Sequence, residues 1–136
     1  MMAVALMGAG PVDTQQPLTI TLEGLRSSKG HLMICVTHTP KYFPDCTGDP
    51  DGRHMIVPTS AGPIALGSLP PGTYAIAIVH DENSNGKLDT FAGIPREGVG
   101  FSRNPALRFG APSFKSAQFT VGGAPVRQAI KLKYFL

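Results

Sequence analysis

The chain has 136 residues and a formal net charge of +3, with 42% hydrophobic and only 15% charged residues. That balance excludes an intrinsically disordered chain, and the length suits one domain rather than two. No apolar run approaches the ~20 residues of a membrane-spanning helix, and no Lys/Arg cluster is dense enough to track a phosphate backbone, so neither a membrane span nor a nucleic-acid partner is expected.

In chain order, residues 1–16 read as a leader remnant or a disordered N-terminus. MMAVALMGAG is small and apolar like the end of a signal-peptide core, but the basic n-region is absent. Residues 17–136 read as one domain. Strand-like runs fall at 18–22, 31–37, 54–57, 64–66, 73–80, 117–121 and 126–134. In TYAIAIVH, Tyr74, Ile76, Ile78 and His80 share one face and Thr73, Ala75, Ala77 and Val79 the other; in RQAIKLKYF, Ile130, Leu132 and Tyr134 share a face. Turn signals such as Pro70-Pro71-Gly72 and Gly122-Gly123 separate the runs, and no long stretch keeps a helical period free of Gly or Pro. The pattern predicts an all-β fold, a single antiparallel β-sandwich of about seven strands. Immunoglobulin-like and transthyretin-like topologies both remain open. A long ordered insert is expected at 81–115.

Cys35 sits in the apolar run HLMICV and Cys46 in the following loop, YFPDCTGDPDG. The spacing is not the short gap of a zinc knuckle. The alternatives are two unpaired thiols or a bridge pinning the loop to its strand, and a bridge of this span would contribute about 3 kcal/mol in the chain-entropy model. Persistent bridges need an oxidising compartment. The expectation is a Cys35–Cys46 disulfide and a periplasmic or secreted location.

The insert opens with the most specific chemical pattern in the chain. Asp81, Asn83, Asn85 and Gly86 match the D-x-[DN]-x-[DN]-G start of a calcium loop, with the Lys87 carbonyl at the seventh position and Asp89 at the ninth. Alternate side chains of a tightly curled loop converge oxygens on one hard cation, and Gly at the sixth position permits the turn. The twelfth position is Ala92 rather than a bidentate Glu, so an EF-hand proper is excluded and any Ca2+ site would be of the weak extracellular class, Kd ~10⁻⁴–10⁻³ M. The same residues also build plain turns, because Asx side chains cap their own backbone.

Charge is uneven along the chain: residues 96–136 carry seven of the basic groups and only Glu97 among the acids. Within the insert, Arg96, Glu97, Phe101, Arg103, Arg108 and Phe109 form a candidate binding face for an envelope protein, a peptide or a glycan. Its apolar residues alternatively fold back as a satellite core. No catalytic residue is assigned: there is no G-x-S-x-G elbow and no H-E-x-x-H spacing. The alternative to a non-catalytic binding or accessory module is a small metal-dependent or hydrolytic enzyme centred on His80, Asp81 and Glu97, although His80, on a strand, also fits a purely structural role.

The run HDENSNGKLDTFAGIPREGVGFSRNPALRFGAPSF, preceded by LPPGTYAIAIV, resembles the hallmark of a bacterial family of unknown function numbered 2141. The resemblance spans roughly residues 17–134. It implies a small exported β-sandwich protein, usually made with a signal peptide. No reaction, ligand or catalytic residue is carried over with it.

Overall fold

The computed structural model describes residues 15–88, 90–91, 94–107 and 110–136. Residues 1–14, and with them most of the expected leader, lie outside the described residues, as do Asp89, Ala92, Arg108 and Phe109. Strands β1 (Gln16–Glu23), β2 (His31–Thr37), β3 (Arg53–Pro58), β4 (Ile64–Leu69) and β5 (Gly72–Asp81) follow the alternating runs closely. The insert holds β6 (Thr90–Phe91), β7 (Ile94–Pro95) and β8 (Gly98–Phe101). A one-turn helix, α1 (Phe114–Ala117), precedes β9 (Phe119–Val121) and β10 (Val126–Lys131).

The strands form an all-β sandwich. In the larger sheet β3, β2 and β5 are neighbours in that order, and the far edge of β5 is shared, by β9 along residues 72–74 and by β8 along residues 77–80. The smaller sheet runs β10–β1–β4, and β6 pairs with β7. Alternation sends Leu18, Ile20 and Leu22 of β1, Leu32, Ile34 and Val36 of β2, Ile76 and Ile78 of β5, and Ile130 of β10 into one core between the sheets. Each such side chain contributes about 1.5–3 kcal/mol relative to exposure.

The outer face of β5 is buried as well. Ala75 and Ala77 join Cys35, Cys46, Val99, Phe101 and Ala117 in a second cluster, with Phe43, Leu107 and Phe114 packed against it. Phe43 meets Phe101 and Phe114 edge-on, each with ring centroids 6.0 Å apart. The small alanines let the Cys46 loop and the insert lie close on the sheet.

Three features depart from the sequence reading. The sheets are not wholly antiparallel: β10 runs parallel to β1 over six register pairs. The insert is not only loop, because β8 pairs with the centre of the larger sheet. Ala117, expected to open a strand, instead closes α1, whose N-terminus is capped by the Ser113 hydroxyl accepting from Ser116 N–H.

β8 shows why its pattern is hard to read. In G-V-G-F, Val99 and Phe101 face the outer cluster, while the inward positions are glycines lying under the end of β10. A Cβ on Gly100 would stand 2.8 Å from Ile130 Cγ2 and from Leu132 Cδ2. Beyond β10, Val99 and Lys133 exchange backbone hydrogen bonds of 3.0 and 2.8 Å, joining the two sheets along this side.

Candidate functional site

β5 delivers two of the singled-out residues to the end of the sandwich. Its period-two alternation puts His80 on the core side, 0% exposed. His80 Nε2 donates to the Lys29 carbonyl at 2.8 Å, a partner that assigns the tautomer and leaves Nδ1 to accept from the Tyr134 hydroxyl at 2.7 Å. The Tyr134 oxygen in turn accepts from Arg26 N–H at 3.3 Å, and burial pushes its phenol above the ordinary range.

Asp81, also buried, closes the turn that follows. Its Oδ1 accepts from Asn85 N–H at 3.2 Å and its Oδ2 from Gly86 N–H at 2.8 Å. Asn83 Oδ1 accepts from Asn85 N–H and Asn85 Oδ1 from Lys87 N–H, at 3.3 and 3.1 Å. These are Asx turns, and they shape residues 81–87 from within. Gly86 is left-handed, φ +78°, as the sixth position of the pattern requires. Asp89 lies outside the described residues. Among the described residues no three His, Cys, Asp or Glu side chains gather where they would hold a metal ion.

The guanidinium of Arg26 organises the neighbouring surface, a role that nothing local in the sequence signals because its partner lies 56 positions away. It donates to Glu82 Oε1 from Nε at 2.9 Å and Nη2 at 2.6 Å, and stacks 4.5 Å from the Tyr134 ring centroid. Arg26 holds the Glu82 carboxyl below the ordinary glutamate range, helped by Ser27. Nη2 also reaches the Arg96 carbonyl at 3.0 Å.

The residues of the expected binding face disperse. Glu97 is 4% exposed and accepts Glu82 N–H at 3.0 Å. Phe101 belongs to the outer cluster. Arg96 and Arg103 are both exposed, one before β8 in the chain and the other after it. Arg103 and Asn104 are both left-handed, φ +66° and +48°. This aims the Asn104 amide at β10, where it donates to the Ala129 carbonyl and accepts from Lys131 N–H at 3.0 and 2.8 Å. The side chain thus occupies a strand's place along that edge.

The expected disulfide is present: Cys35 and Cys46 are bonded, 11 residues apart in sequence. Beside it a groove of about 600 Å³ crosses the outer face of the larger sheet. Met33, Cys35, Ala77 and Val79 line its sheet side, with His54 of β3. Residues 44–47 on the one hand and 86–88 on the other border it. His80, Asp81 and Glu97 do not line it.

With this geometry in view, residues 20–129 match a bacterial family described as an uncharacterised protein conserved in bacteria, DUF2141. The chain belongs to the DUF2141 family. No curated protein and no solved structure matches it significantly. Within the matched stretch lie the Asp81 turn, the glycines of β8 and the Asn104 clamp, each at a joint of the sandwich. No helix among the described residues is long and apolar enough to cross a membrane.

Proposed function

We propose that this DUF2141 protein is a non-catalytic binding module of the bacterial envelope that takes an extended peptide along β3, one peptide side chain entering the adjacent groove. The observation that carries this reading is the outer edge of β3. Thr59 N–H bonds to Gly30 O across the β2–β3 ladder. With the β2–β3 register, alternation then turns the backbone groups of Arg53, Met55 and Val57 toward β2 and those of His54 and Ile56 outward. Ile56 is 57% exposed, and His54 lines the groove. Two other edges are closed by side chains. Arg53 donates to the Leu66 and Ser68 carbonyls of β4, and Asn104 clamps β10. An unguarded edge beside a pocket is the arrangement used in strand addition, where main-chain bonds supply affinity and pockets supply specificity. The disulfide supports an extracytoplasmic setting.

The test is selection from a displayed peptide library followed by fluorescence anisotropy with the selected peptides. Ile56→Pro removes an outward N–H that no β2 carbonyl uses, so the fold is retained while affinity falls at least tenfold. Selected peptides that bind Ile56→Pro as well as the parent would refute strand addition. We further propose that residues 81–89 take Ca2+ weakly, bracing the groove wall at 86–88. The support is the Asp81, Asn83, Asn85 spacing with left-handed Gly86, together with the Lys87 carbonyl and Asp89 in sequence.

A further inference from the structure

Asn85-Gly86 joins an amide side chain to the residue whose backbone nitrogen is least hindered, the pairing most prone to spontaneous deamidation. In that reaction the Gly86 nitrogen gives up its proton to a solvent base and attacks Asn85 Cγ. The new C–N bond closes a five-membered succinimide, and the amide nitrogen leaves as ammonia, taking up a proton. Water then opens the ring at either carbonyl, giving aspartate or isoaspartate. No oxidant, metal or enzyme is needed.

The turn both prepares this step and blocks it. The Asn85 side chain is drawn forward along the chain, since its Oδ1 accepts from Lys87 N–H at 3.1 Å, which carries Cγ toward the intervening Gly86 nitrogen. Both residues are exposed, and a Cβ placed on Gly86 would meet nothing within 4 Å, so water reaches the site. The Gly86 N–H, however, is held by Asp81 Oδ2 at 2.8 Å. A carboxylate in that position opposes reaction in two ways: the nitrogen must break a charge-assisted hydrogen bond, and it must become anionic next to an existing negative charge. Asp81 is itself 2% exposed and fixed at the end of β5, with its other oxygen on Asn85 N–H, so it does not swing away.

We propose that Asn85 is a deamidation site whose rate is set by Asp81. Conversion to aspartate puts a carboxylate at the fifth position of the 81–89 loop. Conversion to isoaspartate adds a backbone methylene immediately before Gly86, Lys87 and Leu88, which border the groove. The site therefore records the age of the folded molecule in the chemistry of that wall.

The experiment is timed incubation at mildly alkaline pH with peptide mapping by mass spectrometry. Folded parent, urea-unfolded parent and Asp81→Asn are compared, and Asn83-Ser84 in the same turn serves as the internal reference. The folded parent is expected to lose Asn85 at least tenfold more slowly than the unfolded chain. Asp81→Asn is expected to lose it about tenfold faster than the folded parent, the factor that loss of one hydrogen bond to a charged group represents, with Asn83 little changed. Equal acceleration at Asn83 and Asn85 would mean general loosening and would overturn the assignment, as would an unchanged rate at Asn85. Should Asp81→Asn fail to fold, hydrogen exchange of the Gly86 amide in the parent decides: slow exchange supports the hold by Asp81, and exchange as fast as in an unstructured peptide overturns it.

Discussion

Gly98→Ala tests how closely the two sheets approach. The Gly98 backbone is not left-handed, so alanine meets no conformational penalty there and gains about 0.4–1 kcal/mol from a stiffer unfolded chain. The cost is steric. A Cβ at position 98 would lie 2.5 Å from Tyr134 Cε2 and 2.6 Å from Cζ. The ring has little freedom to yield, because its hydroxyl bonds His80 Nδ1 and its face carries the Arg26 guanidinium. Overpacking of this kind costs about 1–3 kcal/mol, and displacing the hydroxyl leaves a buried imidazole nitrogen unpaired at about 1–3 kcal/mol more. The expected net loss is about 2–4 kcal/mol, read as a lower urea midpoint at unchanged slope. The companion measurement is Gly98→Ala in a Tyr134→Ala background, where the ring is gone and the second substitution should be neutral or slightly stabilising. A coupling of about 2–5 kcal/mol closes that cycle. Additive effects, or a single-variant loss below about 0.5 kcal/mol, which is ordinary surface scatter, would refute the steric account.

Cys35→Ser should lose about 3 kcal/mol under oxidising conditions, from the 11-residue separation of the bridge. Under reducing conditions its unfolding midpoint should match that of the parent, and an equal deficit there would assign the loss to packing. Glu82→Gln should cost about 1 kcal/mol at neutral pH, a modest figure because the Arg26 side chain is 39% exposed. Since Glu82 titrates below its ordinary range when folded, its contribution is complete above that range and disappears as pH falls through the depressed value. Parent and variant should therefore converge in acid, and a gap that widens instead would reverse the sign of this linkage. Millimolar calcium should raise the unfolding temperature of the parent relative to a chelator, and Asp89→Ala should remove the rise; a parent that melts identically in both would sink the ion brace.

β1, β2 and β5 were legible in the sequence because each buries a full alternating face, β3 because its alternate residues are at least half-buried, and the Cys35–Cys46 pairing because its loop is short and Cys35 sits in an apolar run. β8 was not, since its inward positions are glycines and only Val99 and Phe101 remain to signal a strand. The parallel course of β10 against β1 leaves no trace in either segment, as both present the same alternation whichever way they are paired. The insert illustrates a different loss. Phe101 and Glu97 look equally suited to a ligand face or to a packed joint, and only the positions of Phe43 and of Glu82 N–H decide for the joint. Arg26 and Asn104 act through partners 56 and 25 or more positions away, distances over which local pattern carries no information.

The bridge between Val99 and Lys133 gives the sandwich two unlike sides. On that side backbone hydrogen bonds pass from one sheet to the other, much as in a barrel. On the opposite side, where β3 faces β4, the Arg53 guanidinium spans the gap to the Leu66 and Ser68 carbonyls. The molecule is thus bound like a book, with a spine at β8 and β10 and a clasp at β3. Partial opening is expected at the clasp, so amides of β3 and β4 should exchange through smaller fluctuations than those at the spine. A strand seated at β3, as proposed above, would therefore meet the part of the fold expected to yield first, and would hold the covers shut.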